Sequence, residues 1–339
     1  EPLDEEQTKA ATDSQQIRAI NRMLSLCRNA KNKDESYLCS VLHFFLLHGF
    51  FSMQSGSTLH GSKESFVTPR QWKELQVTSA PVTHKVTQQC RTALTSLFKE
   101  FATLSLSKEK TAPGEMLSGE VWPSYALRVY TEFASLKNTT ELSPLSEEAT
   151  EALESLQALG SVINKKISSL QSKIKSQTNT TKANALQTDL KIQYAFRLLA
   201  WNCAVMLHFE SDTDIVEAMG DLKESYNHLI SKKKGTDGPN PYDVVTDIIV
   251  SLLTRSSAYL RTVATRSFSL LRPTLPTSSV QILFDIIDPK EGKFEEYDDE
   301  LSYEEDEEDD DGVPFTLEEA EAARNQDMEE DSDDSDDSD

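Results

Sequence analysis

The sequence predicts an all-α protein: irregular HEAT/armadillo-like helical repeats, an α-solenoid, followed by a disordered acidic tail. Three observations carry this expectation. Apolar residues recur at intervals of three and four along most of the first 289 residues, the spacing of one helix face. Strand signals are scarce, because alternating apolar runs are short and only 11 of 339 residues are glycine. Charge is also segregated. Residues 291–339 hold 26 acidic side chains against Lys293 and Arg324, which accounts for a formal net charge of −23 and leaves an almost neutral body.

The elements follow in chain order. Residues 41–51 form the longest apolar run, within a helix expected over 38–51. Interrupted by His43 and His48, it is too short to cross a bilayer and reads as a buried helix with Asp34 as its cap. Val86, Cys90, Leu94, Leu97, Phe101 and Leu104 mark a second helix. Pro144 followed by Ser146, Glu147 and Glu148 is a helix start with acids where the dipole favours them. From there one stripe runs Leu153, Leu156, Leu159, Ile163, Ile167, Leu170 and Ile174. Past a polar turn near 176–181, another runs Leu186, Leu190, Tyr194, Leu198, Trp201 and Val205. Two long stripes joined by a short turn predict an antiparallel helical hairpin. The closing segment offers three shorter helices, 243–254, 258–271 and 277–287, paired as in HEAT-type repeats.

Loops rich in Ser, Thr, Gly, Pro and Lys separate these helices at 56–69, 105–119, 137–144 and 232–241. The expected organisation is a helical-repeat region at 1–289, with sub-boundaries near 105–120 and 232–241, and a disordered tail at 290–339. The chain opens on Glu1 rather than Met and reads as a piece of a longer protein. Cys27, Cys39, Cys90 and Cys203 are widely spaced, which suits buried thiols rather than bridges or zinc ligands.

Motifs of catalysis are missing from the sequence. It has no P-loop, no dinucleotide fingerprint, no HExxH and no GxSxG, so neither a cofactor nor a metal is expected. His43 and His48 stand five apart on poorly aligned helix faces, and Cys39 with His43 lacks further ligands; all three read as core residues. Asp212-Thr213-Asp214 has the Asp-x-Asp form of a two-metal site, but its place before Ile215, Ala218, Met219 and Leu222 is that of a helix cap. Candidate nucleic-acid contacts are Arg255, Arg261, Arg266 and Arg272 on the last helices, and Lys232, Lys233 and Lys234. Lys165, Lys166, Lys173 and Lys175 lie on the polar side of the long stripe, where an ordinary solvated face accounts for them. In the tail, Ser332, Ser335 and Ser338 each precede acids, as an acid-directed kinase requires. Such a polyanion suits basic partners such as histones or ribosomal proteins.

The order of these features resembles the DNA polymerase phi / Myb-binding protein 1A family of large nucleolar proteins. In that family a leucine-rich segment closes the helical repeats just before a long acidic region. The matching residues are Ser251-Leu252-Leu253, Tyr259-Leu260-Arg261, Phe268 and the run from Gln281 to Ile287, followed at once by acids. The resemblance implies a HEAT/armadillo-like protein of the nucleus and nucleolus, acting in ribosome biogenesis, rRNA gene transcription and transcription regulation. Its implied partners are proteins of the nucleolus or transcription machinery and rDNA, with no membrane. The family carries a polymerase name, and some members are credited with nucleotidyltransferase activity, yet Asp212 and Asp214 lack the companion acidic motif. A non-enzymatic scaffold is therefore the expected function. An acidic chaperone for histones or ribosomal proteins is the first alternative, and a DNA-directed DNA polymerase the second.

Overall fold

The computed structural model describes residues 5–29, 34–53, 65, 67–75, 82–106, 113–210, 215–231 and 239–287. These residues contain eleven α-helices in the order α1 (Glu5–Arg28), α2 (Glu35–Phe50), α3 (Pro69–Leu75), α4 (His84–Thr103), α5 (Trp122–Ala134), α6 (Glu147–Ser176), α7 (Thr180–Glu210), α8 (Ile215–Ser231), α9 (Pro241–Thr254), α10 (Ala258–Leu271) and α11 (Thr277–Ile287). A 3₁₀ turn, Arg272–Thr274, follows α10. The fold class is all-α, as the periodicity predicts.

Several helix starts are fixed by their own side chains. Asp34 accepts from the Ser36 amide at 3.0 Å, Ser146 from Ala149 at 3.2 Å and Asn240 from Tyr242 at 3.1 Å. Each cap satisfies an otherwise unpaired amide, an interaction of about 1 kcal/mol. Pro123 and Pro241 occupy first-turn positions, where no amide is needed.

Packing proceeds along the chain. α2 lies on α4 and α5, and α1 covers α4; α6 and α7 form a long hairpin; α8 touches both of its helices and then α9; α10 and α11 pack on α9. Lys223 Nζ of α8 donates to Ser155 Oγ of α6 at 2.7 Å. The stack is irregular because α10 also packs against α7 and reaches back to α4. There Tyr259 sits 6.1 Å from Phe98, which stacks on Phe209 at 5.9 Å. Phe209 in turn meets Phe50 and Tyr130, so an aromatic seam joins the first helices to the last. Between α6 and α7 the approach is unusually close: a Cβ on Gly160 would lie 2.5 Å from the Trp201 ring.

Three features differ from the sequence expectations. α1 and α5 are helices absent from the sequence expectations, although α5 carries a stripe at Trp122, Tyr125, Ala126, Val129, Tyr130 and Phe133. The expected helix over 38–51 ends at Phe50, and Phe51 begins a strand, β1 (Phe51–Met53). That strand pairs antiparallel with β2 (Thr139–Glu141), inside the segment expected to be a loop. Three pairs suffice because Phe51 is buried while Thr139 and Thr140 are β-branched, and the Leu142 amide donates to the Phe50 carbonyl at 2.9 Å beside the ladder. The acidic tail, the Asp212–Asp214 string and Lys232, Lys233 and Lys234 lie outside the described residues.

Candidate interaction surfaces

The best-formed concavity lies where α4, α7, α10 and the 113–121 loop meet. The loop doubles back through Gly114 and Gly119, whose φ values of 88° and 83° are costly for any residue with a Cβ. Gly114 N donates to the Leu104 carbonyl at 2.8 Å, and Met116 N to Glu120 at 2.8 Å. This turn carries Glu115 over α7, where its carboxylate forms a buried ion pair with Arg197. The guanidinium also stands 4.8 Å above the Tyr194 ring, and Tyr194 Oη accepts from Gln171 Nε2 of α6 at 2.9 Å. Burial raises the Tyr194 phenol's pKa, and the nearby Glu115 charge adds to the effect; the Gln171 hydrogen bond and Arg197 oppose it.

The cavity has a volume of about 300 Å³, with apolar walls that include Phe98, Phe101, Val121, Leu198, Trp201 and Leu270. Several of its polar groups are held by the protein itself, while the Trp201 Nε1 is buried without a hydrogen-bond partner. Tyr259 Oη donates to Asn202 Oδ1, and Asn202 Nδ2 donates to the Leu198 carbonyl at 2.5 Å. Arg266 donates to the Ala102 carbonyl in the last turn of α4, where a cation complements the helix dipole, and burial lowers its pKa. Such a surface shelters an apolar group beside cations. Among the described residues that line it, none is a nucleophile paired with a base.

The candidate arginines are not gathered into one patch. Arg261 closes the α9–α10 turn by donating to the carbonyls of Arg255 and Ser256 at 2.9 and 2.8 Å. Arg266 turns inward to α4, Arg255 is half-buried at the turn, and Arg272 is exposed beyond α10. Lys232, Lys233, Lys234, Ser332, Ser335 and Ser338 fall outside the described residues.

His43, His48, His208 and the four cysteines are interior. His43 Nε2 pairs with Tyr125 Oη at 2.9 Å, while both ring nitrogens of His48 and of His208 are buried without a hydrogen-bond partner. Burial lowers the His43 pKa to about 3, and those of His48 and His208 to about 4. All four thiols are buried and unbridged, and burial pushes each up to about 12. Among the described residues no three His, Cys, Asp or Glu side chains converge as a metal site. No described helix is long and apolar enough to cross a membrane.

A stack of amphipathic helices with an apolar groove, its two arginines bonded internally, defines a helical-repeat protein suited to contact. Comparison with known proteins places it. The family model described as DNA polymerase phi matches residues 2–339, and the chain belongs to that family. It is similar to the rDNA transcriptional regulator pol5 of Schizosaccharomyces pombe, 22% identical over 278 residues, covering 80% of this chain and 25% of the relative. It is also similar to human Myb-binding protein 1A, 21% identical over 270 residues, covering 76% of this chain and 17% of the relative. The chain thus spans a quarter or less of the curated relatives it matches. No solved structure matches.

Proposed function

We propose that this chain is a non-enzymatic scaffold of the nucleolus that acts in rRNA gene transcription and ribosome biogenesis by binding proteins of the transcription machinery, with rDNA as a further contact. Support comes from family membership and from relatives named as a regulator and a binding protein. One observation supports the non-catalytic part: Arg197, Asn202 and Arg266 of the groove, and Glu115 beside it, are each held in intrachain bonds. In this reading 1–289 is the contact region and 290–339 a separate acidic segment that attracts basic proteins. Phosphorylation of Ser332, Ser335 and Ser338 would add about −1.5 to −2 charge each and strengthen that attraction.

The test is affinity capture from nucleolar extract with the full chain and with a chain ending at Pro289. A scaffold keeps its principal partner after the deletion. Loss of nearly all bound protein would instead favour the acidic-chaperone reading, which the 26 acids of residues 291–339 recommend. Metal-dependent nucleotide incorporation abolished by Asp212→Asn with Asp214→Asn would overturn the non-enzymatic assignment.

A further inference from the structure

We propose that the cavity between α4, α7 and α10 is a docking site for an acidic peptide, which seats one bulky apolar side chain among the helices and sets its carboxylates on Lys191 and Arg266. This names a class of partner for the scaffold proposed above and rests on that reading. The walls supply the apolar half of the recognition: Phe98, Phe101, Leu198, Trp201 and Leu270 surround about 300 Å³. That volume is at the lower end for ligand pockets, the size at which a single buried anchor fills the site.

Charge supplies the other half. Among the described residues that line the cavity, Lys191, Arg197 and Arg266 are cations and none is an acid. Arg197 is neutralised by Glu115 in their buried pair. Lys191 and Arg266 have no carboxylate partner among the described residues. Lys191 is exposed on α7. Arg266 is half-buried, and its bond is to the Ala102 carbonyl, a neutral acceptor. The nearest acids in sequence are engaged elsewhere: Asp189 acts on Tyr242 of α9, and Glu100 pairs with Arg28 of α1. A half-buried guanidinium held by a carbonyl alone is an uncompensated charge, and a carboxylate is the group that satisfies it best.

The same geometry selects against other occupants. A small polar ligand needs free polar groups inside to orient it. Here the Asn202 amide is engaged at both ends, by Tyr259 and the Leu198 carbonyl. Trp201 Nε1 lies against Gly160 of α6 and is closed to any ligand. Single-stranded nucleic acid stacks its bases on surface aromatics, whereas Phe98, Phe101 and Trp201 are all buried. A basic peptide meets two uncompensated cations. What remains is a chain that brings an apolar anchor together with negative charge, the pairing of buried centre and charged rim found in protein interfaces.

The experiment titrates the full chain with three fluorescent nine-residue peptides: alternating Asp and Glu with a central Phe, the same peptide with a central Ala, and a lysine peptide with a central Phe. The acidic Phe peptide is expected to bind about 30-fold more tightly than the acidic Ala peptide, the loss typical of a removed anchor. Lys191→Glu, at an exposed position, should weaken the acidic Phe peptide about fivefold and leave the melting temperature unchanged. Leu270→Trp fills the cavity and should bring the Phe peptide down to the affinity of the Ala peptide; if that chain does not fold, Lys191→Glu decides. The proposal is overturned by equal affinity for the two acidic peptides, by unchanged affinity in Lys191→Glu, or by equally tight binding of the lysine peptide. Displacement of the Phe peptide by an equal concentration of 3-phenylpropionate would also overturn it, since the site would then belong to a small molecule. Loss of the peptide result with extract capture intact rejects the cavity and leaves the scaffold standing. Absence of capture by the unaltered chain rejects the scaffold, whatever the peptides do.

Discussion

The inner and outer halves of the α6–α7 hairpin are built from the same two helices and have opposite surroundings. The inner half runs Gly160 into the Trp201 ring, buries Leu153, Leu156, Leu159 and Ile163, and anchors the 113–121 loop through Arg197 and Glu115. The outer half buries nothing from Gln171 to Ile192 and carries lysine. Burial rather than helix propensity separates the two halves. A helix outlives its tertiary contacts when caps and a partner helix support it, and here the Asn179 side chain accepts from the Lys182 amide at 3.1 Å. Substitutions should therefore act on stability in the inner half and leave it nearly unchanged in the outer.

The largest effect belongs to the ion pair. Arg197→Ala leaves the buried Glu115 carboxylate without its cation, and removal of one member of such a pair costs about 3–5 kcal/mol. Urea unfolding should show the loss, and Glu115→Ala together with Arg197→Met should recover a large part of it. A loss below 1 kcal/mol would mean that the loop is not held by this pair.

Acid should attack the interior next. His43, His48 and His208 have folded-state pKa values lowered to about 3, 4 and 4, against 6.5 unfolded. With the folded value below the unfolded one, the unfolded chain binds protons first. Stability is therefore intact above about pH 6.5 and declines as pH falls towards 4. His208→Phe removes two unpartnered nitrogens and should make the urea midpoint less steep in pH over this window. An unchanged slope would show that His208 is hydrated or paired.

Gly160→Ala is a smaller perturbation of the same half. The added methyl meets Trp201 at 2.5 Å, and overpacking of this kind costs about 1–3 kcal/mol. A blue- or red-shifted Trp fluorescence spectrum with a lowered melting temperature is the expected readout.

How much of this was legible depended on period. α4, α6, α7, α9, α10 and α11 repeat at three and four, so their faces could be read directly, and Asp34 and Ser146 announced their helices as caps. α2 was readable only as an apolar run, because it is buried nearly all round. α5 was legible and was missed: Trp122, Tyr125, Ala126, Val129, Tyr130 and Phe133 repeat at three and four. The β1–β2 pair is three residues per strand, too short for alternation to register. The groove was illegible because Glu115 and Arg197 are 82 positions apart and nothing local couples them. Lys165, Lys166, Lys173 and Lys175 were legible as the polar side of α6.

The smallest predicted change in stability is the sharpest test of the comparison. Lys166→Gln and Lys173→Gln remove two charges from the outer half. Lys166 has Val162, Ile163, Ser169 and Leu170 as its three- and four-residue neighbours, and Lys173 has Ser169, Leu170, Ser176 and Gln177. None is acidic, so no helix-surface pair is lost. Both side chains are exposed, so no desolvation is relieved. The melting transition should therefore move by no more than about 0.5 kcal/mol per substitution, even though Lys166 lies only six residues from Gly160. A loss above 1 kcal/mol from either change would place that lysine in the fold's interior contacts and end the division between the two halves.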